Sequence, residues 1–145
     1  MLINLIYHSL AVDHITEQDI KDILEEARAF NKEHNITGLL LFHEGEFVQI
    51  LEGEEKDVTG IFAKIKEDPR HRLVRLLETS PIKERTFPNW LMAFKPLSDQ
   101  NLIDVSAHLN LTEFNRLSRI QQDTSLANKL LRIIGDMLQG NGPQV

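Results

Sequence analysis

The chain has 145 residues, of which 41% are hydrophobic and 26% charged, with a formal net charge of −6. That size and balance describe one globular domain with a real core rather than a disordered segment. The negative charge argues against a nucleic-acid partner, which demands a basic stripe, and the lack of cysteine excludes disulfides, thiolate nucleophiles and cysteine-ligated metals.

No apolar run approaches the roughly 20 residues of a membrane span. The opening Met1–Ile6 lacks the charged n-region of a secretory signal. The expectation is a cytoplasmic chain with no membrane partner.

Leu2 to Ser9 alternates in the manner of a strand, with Ile3, Leu5, Tyr7 and Ser9 on one face. Thr16-Glu17-Gln18-Asp19 is a capping box, and the helix it opens buries Ile20, Ile23, Leu24, Ala27 and Phe30 before Asn35 ends it. Thr37 to His43 and Glu46 to Leu51 form a hairpin about Glu44-Gly45. A second helix from about Lys56 to Asp68 buries Val58, Ile61, Phe62 and Ile65, and Pro69 stops it. Leu73 to Thr79 and Trp90 to Phe94 read as two more strands, joined by a loop with Pro81 and Pro88. The pattern βαββαβ with one further strand is an α+β, ferredoxin-like sheet with two helices on one face.

Ser98 to Val145 is helical in pattern. One stretch buries Leu102, Ile103 and Val105, another Phe114, Leu117 and Ile120, and a third Leu126, Leu130, Ile134, Met137 and Leu138, with Gly140–Pro143 as terminator. Several strands are apolar on both faces, so the second face needs a cover. The C-terminal extension is expected to supply it, dividing the chain into residues 1–97 and a cap of residues 98–145.

The acidic residues between Glu44 and Asp57 read as surface, and the six histidines lack metal-ligand spacing and read as scattered surface groups. Gly60, inside the second helix, suggests either a close ligand or a tight helix–sheet contact. No metal is expected.

Three polar groups fall among apolar neighbours. Asn31 lies one turn after Ala27 on the buried stripe, Gln49 alternates with Phe47 and Leu51, and Tyr7 shares a face with Ile3 and Leu5. Each costs about 1–3 kcal/mol if buried without a partner. Backbone partners would satisfy any one of them; a planar ligand with alternating donors and acceptors along one edge would satisfy all three. An isoalloxazine ring has such an edge, and Ile23 and Ile65, one from each helix, would sandwich its faces.

The segments Leu5–Ser9, Asn35–Phe42, Phe47–Gly53, Asp68–His71 and Trp90–Met92 resemble, in order and spacing, those of BLUF domains, sensors of blue light using FAD. The likeness covers residues 1 to 97. It implies a non-covalently bound flavin, FAD with FMN or riboflavin as other forms, and no enzymatic activity. By position, Tyr7 would be the electron and proton donor, Gln49 the switching amide and Asn31 a carbonyl and N3 contact. Arg70 and His71 would border the other carbonyl. Ser9 would sit in the cofactor site near the strand of Trp90 and Met92, and those two would relay the signal. The resemblance further implies a downstream protein effector in trans, and it is compatible with a homo-oligomer. Phe30 departs from members that carry histidine there. The alternative reading is a light-independent ferredoxin-like ligand-binding or regulatory module.

Overall fold

The structure, a computed structural model, describes residues 1–111 and 114–139. Five strands form one sheet in the order β4-β1-β3-β2-β5: β1 (Leu2–Ala11), β2 (Thr37–His43), β3 (Glu46–Glu54), β4 (His71–Pro81) and β5 (Ala93–Pro96). The first four pair antiparallel and β5 joins β2 in parallel. Helices α1 (Glu17–His34) and α2 (Glu55–Glu67) follow β1 and β3, giving the expected ferredoxin-like order.

Local chemistry accounts for the element ends. Thr16 and Asp19 form the reciprocal capping box of α1, and Asn35 closes that helix in the left-handed conformation at φ 53°. Glu44 and Gly45 take positive φ values of 44° and 78°, the twist a two-residue hairpin turn needs. Leu73, also at positive φ, marks a bulge where β4 slips against β1.

Strand alternation sorts the core into two halves. Ile3, Leu5, Tyr7, Leu40, Phe47 and Leu51 face α1 and α2 and pack with Ile23, Leu24, Val58 and Phe62. Ile6, Leu39, Leu41, Val48 and Ile50 face the other way, under α3 (Asp99–Leu109), the 3₁₀ helix Leu117–Gln122 and α4 (Ser125–Leu138). The C-terminal helices therefore cover the second face, through Leu102, Val105, Leu117, Ile120, Leu126, Leu130 and Ile134.

Several expectations need correcting. The last strand is Ala93–Pro96, so Trp90 and Met92 lie in the irregular segment before it, where Trp90 carbonyl accepts the Gly38 N–H. Ile103 is 58% exposed. Gly60 makes no tight helix–sheet contact, since a Cβ there would have nothing within 4 Å among the described residues. Glu46 and Glu52 are buried rather than solubilising, as are His8, His43 and His71. Glu52 lies on the face of Ile50 and Val48 and accepts the N–H groups of Thr86 and Phe87, each at 2.8 Å. His43 Nε2 meets Asp99 Oδ1 at 2.9 Å, tying β2 to α3, and with Glu44 these groups lie within 4.8 Å of one another. The proposed terminator Gly140–Pro143 lies outside the described residues.

Candidate functional site

Between α1 and α2, over the inward face of β1 and β3, lies a cavity of about 290 Å³. Its lining includes Tyr7, Ile23, Asn31, Gln49, Ile65, Arg70 and His71. The two isoleucines come from opposite helices, so the walls are apolar while the floor and one end are polar.

The floor is built by sheet register. Tyr7 on β1 stands directly across from Gln49 on β3, and both are buried. The phenol donates to Gln49 Oε1. With Oε1 occupied, Gln49 turns Nε2 toward Met92 Sδ at 3.1 Å, a weak acceptor. Burial pushes the phenol well above its ordinary range, with the charge of Asp68 adding to the effect, so Tyr7 holds its proton at any ordinary pH.

Asn31 closes one end of the cavity. Its Nδ2 donates to the carbonyl of Leu91 at 2.5 Å, while its Oδ1 is buried with no partner among the described residues. Beside it, Arg28 Nε donates to the carbonyl of Met92 at 3.0 Å. Phe30, half-buried in the lining, stacks on His34 with ring centres 4.0 Å apart.

The other end is charged. Arg70 Nη2 bridges Asp68 at 2.7 Å and Glu26 of α1 at 2.6 Å. Burial pulls the Asp68 carboxyl up, but hydrogen bonds from Arg70 outweigh it and hold the group below the usual carboxylate range. His71 opens β4, and its Nδ1 lies 2.8 Å from Ser9 Oγ. Burial pushes its pKa down to about 4, so the imidazole is neutral near pH 7.

Ser9 is placed differently from the expectation. It supports His71 from behind, and β3 and β2 lie between it and the segment of Trp90 and Met92. Those two residues also part company. Met92 packs in the cavity-side core against Gln49, whereas Trp90 turns to the tail-side core and stacks on Phe87 at 5.6 Å and 11°. Sequence reasoning missed Glu26 and Arg28, whose exposed helical positions carry no distinguishing signal. It also missed the anchoring carboxylate of Glu52, although alternation with Val48 and Ile50 pointed that side chain into the core.

The residues fit a flat heteroaromatic group. Apolar walls suit its faces, and two amides, Gln49 and Asn31, are among the lining residues; Asn31 Oδ1 has no donor among the described residues, and a ring N–H would supply one.

Comparison with known proteins agrees. The family model described as "BLUF: Sensors of blue-light using FAD" matches residues 2–93. Photoactivated adenylate cyclase subunit beta of Euglena gracilis is 35% identical over 108 residues, 68% of this chain and 13% of that protein. The blue light- and temperature-regulated antirepressor BluF of Escherichia coli is 40% identical over 78 residues, 53% of this chain and 19% of that protein. The chain thus spans a small part of these relatives. The solved BlsA ground state superposes with a TM-score of 0.78 at 33% identity, covering 92% of this chain and 89% of that one. The dark-state structure of BlrB gives 0.67 at 27% identity, covering 88% and 96%. The order of strands, the cavity between two helices and the family match agree, and the chain belongs to the BLUF family of blue-light sensors, which bind flavin.

Proposed function

We propose that this chain senses blue light with FAD held non-covalently between Ile23 and Ile65 and signals by rearranging the hydrogen bonds of Tyr7 and Gln49. The observation that carries the reading is the pair itself: the chain's single tyrosine donates to a buried carboxamide on a cavity wall. Among the forms of flavin, FMN and riboflavin share the ring system that the cavity suits. The cavity of about 290 Å³ is partly open to solvent, and its lining mixes Lys64 and Arg70 with Glu26 and Asp68.

When bound, a flavin supplies the blue-light absorption and, once excited, an acceptor for an electron. Tyr7 would be the donor: its electron would go to that acceptor and its proton along the existing bond to Gln49 Oε1, and both would return to the phenol as the ring relaxes, leaving no net redox change. Gln49 answers because its two terminal groups have nearly one shape and opposite hydrogen-bonding character. Rotation or tautomerisation of the amide exchanges donor and acceptor at the cavity wall, and the opposing contact to Met92 Sδ is weak enough to give up. Asn31 holds the rim and, through Leu91, the segment that carries Met92. Arg70 and His71 border the charged end, with Ser9 fixing His71. Trp90 and Met92 then pass the change outward.

We further assign residues 1–97 to the sensor and residues 98–145 to a cap whose helices present the output to a protein effector in trans, in a cytoplasmic chain that is not itself an enzyme. The family match over residues 2–93 supports that division, and no helix among the described residues is long and apolar enough to cross a membrane. A homo-oligomer is compatible with this output. The light-independent reading has no observation in its favour.

Absorption spectroscopy tests the switch. The flavin-loaded chain should shift reversibly to the red under blue light, and both Tyr7→Phe and Gln49→Ala should abolish the shift. A normal shift in Gln49→Ala rejects the amide mechanism.

A further inference from the structure

Glycine inside a helix costs about 1 kcal/mol relative to alanine, and α4 carries one at Gly135, buried on the face toward the sheet. A Cβ there would stand 2.4 Å from Phe87 Cε1 and 3.1 Å from Cζ. The missing side chain is thus a notch, and the Phe87 ring fills it.

Phe87 belongs to a segment held at both ends. Arg85 Nη1 donates to Thr37 Oγ1 and to the Glu52 carbonyl, and Glu52 takes the N–H groups of Thr86 and Phe87. Four residues on, the Leu91 carbonyl accepts from Asn31, and Met92 Sδ meets Gln49 Nε2. Between them Trp90 lies flat against Phe87. The same short stretch therefore touches the two cavity amides and, through one ring, the last helix of the cap. A ring seated in a notch in a close-packed interior cannot slide by fractions; it stays seated or leaves.

Building on the Gln49 switch proposed above, we infer that Gly135 is a positioning residue for signalling: its notch receives Phe87 and passes the state of the Gln49–Met92 contact to α4. The notch does not touch the flavin cavity, so its loss should separate photochemistry from output.

The test is hydrogen exchange of the α4 peptide of the flavin-loaded full chain, in darkness and under blue light, with absorption recorded on the same samples. The unsubstituted chain should show the red shift together with a light-dependent change in α4 exchange. Gly135→Ala should keep the red shift and lose that change, as should Phe87→Leu, which leaves the notch underfilled. The double variant, where a smaller side chain meets a shallower notch, should recover it, whereas two independent destabilisations would add. A red shift with no α4 response in the unsubstituted chain, an undiminished response in Gly135→Ala, or a double variant no better than the singles each overturns the notch while leaving the photosensor intact. A missing red shift in the unsubstituted chain overturns both.

Discussion

Asn31 reaches across from α1 to donate its amide to the carbonyl of Leu91, 60 residues further along the chain, and in doing so leaves its own buried Oδ1 without a partner among the described residues. One side chain therefore both fixes the segment before β5 and presents an unsatisfied acceptor beside the cavity. An arrangement that leaves a buried carbonyl unpaired is costly unless something else supplies a donor.

That cost predicts the behaviour of Asn31→Ala. Without the amide the Leu91 carbonyl loses its donor, and the flavin loses the hydrogen bond proposed for Asn31 Oδ1. Each such loss costs about 1–3 kcal/mol, so flavin affinity should fall about 5- to 150-fold. Fluorescence titration of riboflavin, FMN and FAD measures this. An unchanged affinity means that Oδ1 does not face the ligand.

His71 makes stability depend on pH. Burial holds its folded-state pKa at about 4, against about 6.5 in an unfolded chain. Below pH 6.5 the unfolded chain binds a proton that the folded one refuses, so this contribution is complete above about pH 6.5 and is lost as pH falls toward 4. The loss is on the order of 3 kcal/mol. Glu46 and Asp68, both held below the usual carboxylate range, add a loss of the same sign at lower pH. Urea unfolding at pH 7.5 and pH 5 checks the effect, and His71→Asn should flatten the difference. A variant as pH-sensitive as the parent places the titration elsewhere.

Glu52 is fully buried and anchors two backbone N–H groups. Glu52→Ala leaves both donors without a partner and frees the segment of Phe87. Loss of two charge-assisted bonds should destabilise the chain by about 3–5 kcal/mol. Thermal unfolding reads this directly, and a change within about 0.5 kcal/mol, the range of ordinary surface substitutions, would show that water replaces the carboxylate.

The two helical glycines predict opposite outcomes. Gly60 is exposed with open space around it, so Gly60→Ala should stabilise the chain by about 0.5–1 kcal/mol through helix propensity and a less flexible unfolded state. Gly135→Ala should destabilise, because the new methyl meets the Phe87 ring. Denaturant midpoints compare them, and a destabilised Gly60→Ala would reveal a contact at that position.

The sequence by itself determined the local units: a capping box at Thr16, a left-handed stop at Asn35, a two-residue turn at Glu44-Gly45, and strands whose alternation set Tyr7 and Gln49 on one face. These are decided within a few residues of chain, and periodicity of two or 3.6 reports them directly. It also required a cover for the second sheet face, because Ile6, Leu39 and Val48 had to be buried somewhere. Tertiary structure alone decided what lies far apart in sequence. Only packing set Ser9 behind His71, brought Arg28 and Asn31 to the carbonyls of Met92 and Leu91, and turned Trp90 away from the cavity while Met92 stayed beside Gln49. Buried Glu52 and Glu46 looked like surface charge for the same reason: a carboxylate's composition says nothing of the donors that distant segments bring to it. Gly135 follows that rule most plainly, since a missing side chain becomes a notch only when another ring arrives to fill it.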